Sequence, residues 1–217
     1  MTNTALQRKN MVESQIRPSD VTDRRITAAM TVIPREAFLP AKLADLAYSD
    51  ESLMIAPGRE VLAPRVLAKL IQLAEIEEAD NILVIGEAGY GAALVSQFAA
   101  KVVALLPDEE SAKTAQAAFA ANGITNAIAV SGPAAAGWSA KAPYDVVLVE
   151  GGIEQVPETL KPQVRENGRL VAIATNDRIG KAVEFHKRGG IFALREGFQA
   201  SALPLAGFSV ERPAFVF

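Results

Sequence analysis

Three glycines, Gly86, Gly89 and Gly91, follow the apolar run 81–85 and lead into a stretch of small apolar residues. Glycines at such a bend let the backbone approach a ligand closely, and the helix that follows offers free N–H groups and a positive end. The chemistry open to them is the cradling of a nucleotide-like cofactor. The dinucleotide fingerprint is G-x-G-x-x-G, whereas this bend reads G-x-x-G-x-G. Taken alone it leaves two readings, a ligand cradle or a tight connection, and Ala92, Ala93 and Leu94 permit close packing in either. In nucleotide-binding α/β sheets the next strand ends in an acid that accepts hydrogen bonds from the ribose. Here that end reads Ala104-Leu105-Leu106-Pro107-Asp108, with Leu106 at the ribose position and Asp108 placed to cap the following helix. Glu87, inside the bend, and Glu150, at the end of the strand 144–150, are carboxylates that could meet a ligand cation. The plainer readings are a solvated loop residue for Glu87 and a strand-end cap for Glu150.

These residues need a scaffold, and the apolar pattern supplies one. Residues 5–16 and 22–32 carry apolar residues at helical spacing (Met11, Val12, Ile16; then Ile26, Met30, Ile33), with Asp20 or Thr22 as cap of the second. Pro34, Pro40, Pro57 and Pro64 punctuate a long connection, and a helix is expected from Pro64 to Ala74 on the stripe Val66, Leu67, Leu70, Ile71, Leu73. After residue 80 short apolar strands alternate with helical segments. ILVIG is followed by a helix to Ala100, VVALL by DEESAKTAQAAFAANG, then come NAIAV, YDVVLVE, a helix over VPETLKPQVRENG, and RLVAIAT. Gly123 and Gly168 stand where helices should stop. Continuous Val/Ile/Leu strands separated by helices indicate a parallel sheet covered on both faces. Beyond Ile191, IFALRE and AFVF are expected as antiparallel edge strands. The fold class is therefore α/β, a doubly wound, mostly parallel sheet with an antiparallel C-terminal edge and an N-terminal helical extension. Ligands of such sheets bind beyond the carboxyl ends of the strands at the switch point. The bend after strand 81–85 lies on that edge and is expected to face an open cleft.

Composition narrows the chemistry. The 217 residues are 50% apolar and 22% charged, with a net charge of −3 and no basic block, which speaks against a nucleic-acid footprint. There is no cysteine, so disulfides, thiolate nucleophiles and zinc–cysteine sites are excluded, and a reducing cytoplasm is the expected compartment. No metal-ligand spacing is visible. The N-terminus lacks the apolar core of a signal peptide, and the longest apolar runs are about ten residues, against roughly 20 for a membrane span. The single histidine, His186, lies in EFHKRGG and reads as a surface residue before a turn. Trp138 and Tyr144 read as packing around Pro143 or as ligand stackers. Arg17, Arg24, Arg25 and Arg35 read as solvated helix faces or as pins for the N-terminal extension.

Several stretches together resemble one family, the protein-L-isoaspartate O-methyltransferases. MVESQIRPSDVTDRRITAAMTVIPREAFLP is similar to that family's opening, with Ile33-Pro34-Arg35-Glu36-Ala37-Phe38-Leu39-Pro40 at its V-P-R-x-x-F-x-P segment. AYSDESLMI, GREVLAP, GWSAKAPYDVVLVEGG and VPETLKPQVRENGRLVAI follow in the family's order, covering residues 10–175, and the tail resembles a shorter proteobacterial variant. The resemblance implies the S-adenosylmethionine-dependent methyltransferase sheet with a reversed edge strand near the C-terminus. It implies S-adenosylmethionine as cofactor, with Gly86, Glu87, Gly89, Tyr90, Gly91, Leu106, Gly132 and Glu150 at the cofactor positions. It implies methylation of the free carboxylate of isoaspartyl residues in aged proteins, which starts repair through a succinimide. Residues 1–80 then form the helical extension with the substrate-side loop, and 81–217 the methyltransferase core, as a monomer or homodimer. A carboxylate with pKa about 3.9 is ionised at neutral pH and the sulfonium leaves readily, so such a reaction needs positioning and desolvation more than a general base.

The sequence departs from the family at these positions. The acid before the first glycine is Val84 and the bend is one residue shorter. The ribose acid is Leu106, the Gly-Asp-Gly that frames the adenine is Ser131-Gly132-Pro133, and the substrate loop Thr-Ile-Ser-Gln-Pro is Glu60-Val61-Leu62-Ala63-Pro64. Losing two charged hydrogen bonds removes on the order of 3–6 kcal/mol, or about 10²–10⁴ in affinity. The expectation is a methyltransferase with a modified site, the alternative a family member that keeps the fold as a binding or scaffold protein. A nicotinamide-dependent oxidoreductase is a weaker third reading, against which the glycine spacing and Leu106 speak.

Overall fold

The computed structural model describes residues 3–175 and 180–210. Helix α1 (Asn3–Met11) runs on through a wider π turn at Val12–Ile16. Helix α2 (Arg24–Val32) is capped by Asp23, whose side chain accepts the Arg25 N–H at 2.8 Å, rather than by Asp20 or Thr22. Asp20 takes a left-handed conformation, and the Thr22 N–H is given to Gln72 Oε1 at 2.7 Å. Strands β1 (Leu53–Ala56) and β2 (Arg59–Val61) form an antiparallel hairpin, and helix α3 (Pro64–Leu73) begins on its proline, as the spacing indicated.

The core follows as β3 (Asn81–Ile85), α4 (Tyr90–Val95), β4 (Lys101–Leu106), α5 (Glu109–Ala121), β5 (Ala127–Ser131), β6 (Tyr144–Ile153), β7 (Val164–Ala174), β8 (Lys181–Arg188) and β9 (Ile191–Gln199). The seven strands lie in the order β5-β4-β3-β6-β7-β8-β9. The first five are parallel, and β8 and β9 are antiparallel to their neighbours. Strand β8 was not foreseen. AFVF lies outside the described residues.

Strand periodicity makes two cores. Ile82, Val84, Val102, Ala104, Val146 and Leu148 join the N-terminal helices and α3–α5 in one cluster. The alternate residues, such as Leu83, Ile85, Val103, Leu105, Val147 and Val149, pack with Tyr144, Leu160, Leu205 and Phe208 on the other face. Among the described residues that second face carries no long helix. The helix expected over 156–167 is replaced by turns, a short 3₁₀ segment, Lys161–Gln163, and the start of β7 at Val164. Pro157 and Pro162 explain this, since each lacks an amide donor and disfavours helical geometry in the residue before it. Gly168 consequently lies inside β7, where an added Cβ would stand 2.9 Å from the carbonyl oxygens of both Arg165 and Asp145. Gly123 does follow α5, with φ +68°. Helix α4 stops at Val95 and not near Ala100, and the Asn126 side-chain amide donates to the Ser96 and Ala99 carbonyls beyond its end, each at 2.9 Å.

Strands β3 and β6 are neighbours in space while β4 and β5 extend away on one side and β7 on the other. The winding therefore reverses between β3 and β6, and the carboxyl ends of these two strands form the switch-point crevice.

Candidate cofactor-binding site

The glycine bend is where the sequence placed it. Gly86 leaves β3 with its N–H on the Leu105 carbonyl at 3.2 Å, and Gly89 caps α4 at φ +83°. Only glycine suits that position, because a Cβ there would be both left-handed and 2.9 Å from Ala115 Cβ. The β3–β6 register pairs Ile85 with Val149, which sets Gly86 beside Glu150. Glu150 does not end its strand. Strand β6 continues to Ile153, and its pairing with β7 slips between Leu148 and Gly152. An irregularity of this kind re-aims a side chain at a sheet edge, and Glu150 is aimed into the bend. A Cβ on Gly91 would stand 1.7 Å from Glu150 Oε1, and one on Gly86 would stand 2.8 Å from Oε2. The space that the two glycines leave is thus taken up by the protein's own carboxylate, a correction to the expectation of an open cleft at this point.

Glu150 is only 5% exposed, and its Oε1 has no hydrogen-bond partner among the described residues. Burial pushes its pKa up to about 7, against the pull of the Arg35 charge and the Gly91 N–H, with the nearby Glu87 adding to the rise. Arg35 is wholly buried, contrary to a solvated helix face, and burial lowers its pKa. Its Nη2 donates to the Leu62 carbonyl at 2.8 Å and its guanidinium lies 5.4 Å from the Tyr90 ring centre. Arg35 Nε and Nη1 and the Tyr90 hydroxyl are buried without partners. Each such orphan costs about 1–3 kcal/mol.

Glu87 is treated differently. It is 9% exposed, and not a solvated loop residue. Its Oε2 accepts from Arg59 Nε at 2.5 Å. Arg59 Nη1 reaches Asp108 at 2.9 Å and its Nη2 reaches Ser111 Oγ at 3.0 Å. Asp108 caps α5 as expected, accepting the Ser111 N–H at 2.7 Å, and these bonds hold its carboxyl below the usual range. This strap crosses a cleft of about 270 Å³ lined by Phe38, Ile55, Arg59, Glu87, Asp108 and Ser111.

The other sequence candidates distribute around this centre. Leu62 and Ala63 lie between β2 and α3. Leu62 is buried and gives its carbonyl to Arg35, while the Ala63 N–H bonds Ser52 Oγ at 3.1 Å. Leu106 is buried in the helical-face core, and its carbonyl takes the Gly132 N–H at 3.0 Å, so these two meet through the backbone. Tyr144 is a packing residue whose hydroxyl donates to the Trp138 carbonyl at 2.6 Å. His186 lies within β8, its Nδ1 3.5 Å from Glu184 Oε1, remote in sequence and strand order from the switch point. Among the described residues no cluster of His, Asp and Glu is arranged to hold a metal. Sequence reasoning missed Arg59 altogether. The available signal was a pair of opposite charges, Arg59 in GREVLAP and Glu87 in the bend.

A doubly wound sheet whose switch point carries a glycine bend, with antiparallel strands at one edge, defines the class: a cofactor-dependent α/β protein of the methyltransferase type. The family model described as Protein-L-isoaspartate(D-aspartate) O-methyltransferase (PCMT) matches residues 6–207. The chain is 35% identical to the protein-L-isoaspartate O-methyltransferase of Methanoculleus marisnigri, over 93% of this chain and 88% of that one. It is 31% identical to that of Koribacter versatilis, over 99% and 97%. A solved protein-L-isoaspartate O-methyltransferase superposes with a TM-score of 0.78 at 25% identity, covering 92% of this chain and 66% of that one. A second, from Plasmodium falciparum and in complex with S-adenosyl-L-homocysteine, superposes at 0.75 over 94% and 99%, and at 16% identity it speaks for the fold alone. The chain belongs to the protein-L-isoaspartate O-methyltransferase family.

The donor that this family implies carries a sulfonium and an ammonium. Carboxylates at the rim suit such a cation. The space does not, since Glu150 fills the approach to Gly86 and Gly91. As the side chains stand, the residues do not admit a ligand against those two glycines.

Proposed function

We propose that this protein binds S-adenosylmethionine at the switch-point rim and methylates the carboxylate of isoaspartyl residues in damaged proteins. The observation that carries this reading is the glycine bend at the carboxyl end of β3, at the point where the winding reverses, in a chain matched by the family over residues 6–207. S-adenosylmethionine supplies an activated methyl group. The protein's own contribution is to orient and to exclude water. The acceptor carboxylate is already ionised at neutral pH, so no residue has to remove a proton from it. The 270 Å³ cleft between residues 38–40, the β1–β2 hairpin and the bend is our candidate for the acceptor side. Leu62 and Ala63 stand at the family's substrate-loop positions, where this chain offers backbone groups in place of side-chain hydroxyl and amide. We place residues 1–80 on that acceptor side, the core after residue 80 on the donor side, and the protein in the cytoplasm as a monomer or homodimer. No helix among the described residues is long and apolar enough to cross a membrane.

Calorimetric titration with S-adenosylmethionine, alongside methyl transfer to an isoaspartyl peptide, tests the reading. Transfer that depends on the isoaspartyl linkage supports it. Absence of both heat and transfer at millimolar cofactor would sink it. A second reading, a binding protein that keeps the fold without turnover, is favoured by one observation, the Glu150 carboxylate in the cradle. Sustained turnover by the unaltered protein ends that second reading.

A further inference from the structure

We infer that Glu150 is the resident occupant of the cofactor cradle, a carboxylate standing where a ligand would lie against Gly86 and Gly91, and that its presence sets how tightly the S-adenosyl donor binds. The inference rests on the family reading for the identity of the donor, while its geometry is this chain's own.

Three observations carry it. First, the glycines fit Glu150. Its two carboxylate oxygens are the nearest atoms to the positions where Gly86 and Gly91 would carry a Cβ, at 2.8 and 1.7 Å. An alanine at either place would collide with the carboxylate. Second, Glu150 is not fixed as half of a structural ion pair. Arg35 spends Nη2 on the Leu62 carbonyl, and its Nε and Nη1 are unpartnered, as is Glu150 Oε1. A buried pair retained for the fold would join these atoms, because unpaired buried charge is costly. Third, the neighbouring Glu87 is already neutralised by Arg59, so it does not compete for the cradle. What results is a cradle filled by a carboxylate with one unpaired oxygen, under the charge of an Arg35 whose Nε and Nη1 are unpaired too, and the departure of that carboxylate would open the space. Unsatisfied buried groups gathered at one site call for an explanation, and a functional role is one. A ligand must displace Glu150 to reach the bend, and the cost of that displacement is subtracted from its affinity.

The test compares the full-length wild type, Glu150→Ala and Glu150→Gln by calorimetric titration with S-adenosylhomocysteine at pH 8, each first checked for cooperative unfolding. Glu150→Ala is expected to bind at least about tenfold more tightly than wild type. Glu150→Gln keeps the volume and is expected to stay within about threefold of wild type. If Glu150→Ala does not fold, Glu150→Ser takes its place with the same expectation. Binding by the small variant that is no tighter than wild type, absent binding included, overturns the inference. Weaker binding also overturns it and makes Glu150 a direct ligand of the cation. A glutamine variant as tight as the alanine one overturns occupancy in favour of charge. Isoaspartyl-peptide methylation by the same proteins separates the two claims. Tight binding by Glu150→Ala with no transfer by any of them leaves Glu150 as the occupant and ends the proposed activity. Transfer by wild type with unchanged affinity in Glu150→Ala does the reverse.

Discussion

Glu87 and Glu150 stand on the same rim, on neighbouring segments, and both are buried. Glu87 meets Arg59, which goes on to Asp108 and Ser111, so Glu87 has a bonded counter-charge, though one shared with Asp108. Glu150 has an unpaired oxygen and a cation, Arg35, that does not touch it. The first arrangement straps the β1–β2 hairpin to the bend and to the start of α5. The second holds a carboxylate against the backbone at a cost. Residue type and burial are the same in the two places, so the difference lies in what the neighbours supply. A matched cluster serves the fold, and a mismatched one in the switch-point crevice is where ligand affinity is decided.

The comparison can be broken in several ways. The largest effect is expected at Arg35. Its removal leaves Glu150 buried without a counter-charge and the Leu62 carbonyl without its donor. Urea unfolding of Arg35→Ala at pH 8 should show a loss of about 3–5 kcal/mol, from the cavity and the orphaned Leu62 carbonyl together with the loss of the charge that acts on Glu150 across a gap. The loss should be clearly smaller in a Glu150→Gln background, and equal losses in the two backgrounds would show that Arg35 and Glu150 do not interact.

The pH dependence of Glu150 comes next. Its carboxyl is raised from 4.5 to about 7 by burial. In the unfolded chain it ionises near 4.5, and in the fold it stays neutral until about 7. Its contribution is therefore fully present below pH 4.5 and is lost as the pH rises through 7, a change of about 3 kcal/mol. The stability of wild type relative to Glu150→Gln should fall by that order between pH 4.5 and 8. A difference that is flat over this range would place the carboxylate in a solvated setting. At Arg59 the effect should be smaller. The side chain is 27% exposed and one of its two partners, Asp108, is 44% exposed, so Arg59→Ala should cost about 1–2 kcal/mol, in part screened by 1 M salt. A cost equal to that of Arg35→Ala would erase the distinction drawn between the two clusters.

Much of the fold was legible in the sequence because the strands are continuous apolar runs and their alternation feeds two cores. ILVIG, VVALL, NAIAV and YDVVLVE all became parallel strands, and Asp108 became the cap its position suggested. The segment 156–167 was misread because its helical spacing is overruled by Pro157 and Pro162. The glycine bend was legible as a backbone device. Its contents were not, because Glu150 reaches Gly86 and Gly91 only through the β3–β6 register and a slip in β6 pairing, neither of which is written in local sequence. Glu87 looked like a solvated loop residue because its partner, Arg59, lies 28 residues earlier in the chain, in a hairpin whose docking is a tertiary fact.

The most direct test of the filled cradle needs no cofactor. Gly91→Ala is introduced into wild type and into Glu150→Ala, and all four proteins are unfolded in urea. Gly91 is the second residue of α4, where alanine is intrinsically favoured by about 0.5–1 kcal/mol. In wild type the new methyl meets Glu150 Oε1, and the substitution should destabilise by about 1–3 kcal/mol. In Glu150→Ala the nearest remaining atom is Leu67 Cδ1 at 3.3 Å, a flexible methyl, and the same substitution should be neutral or stabilising. A change of sign between the two backgrounds is the predicted result, and the same destabilisation in both would show that the carboxylate does not lie in the cradle.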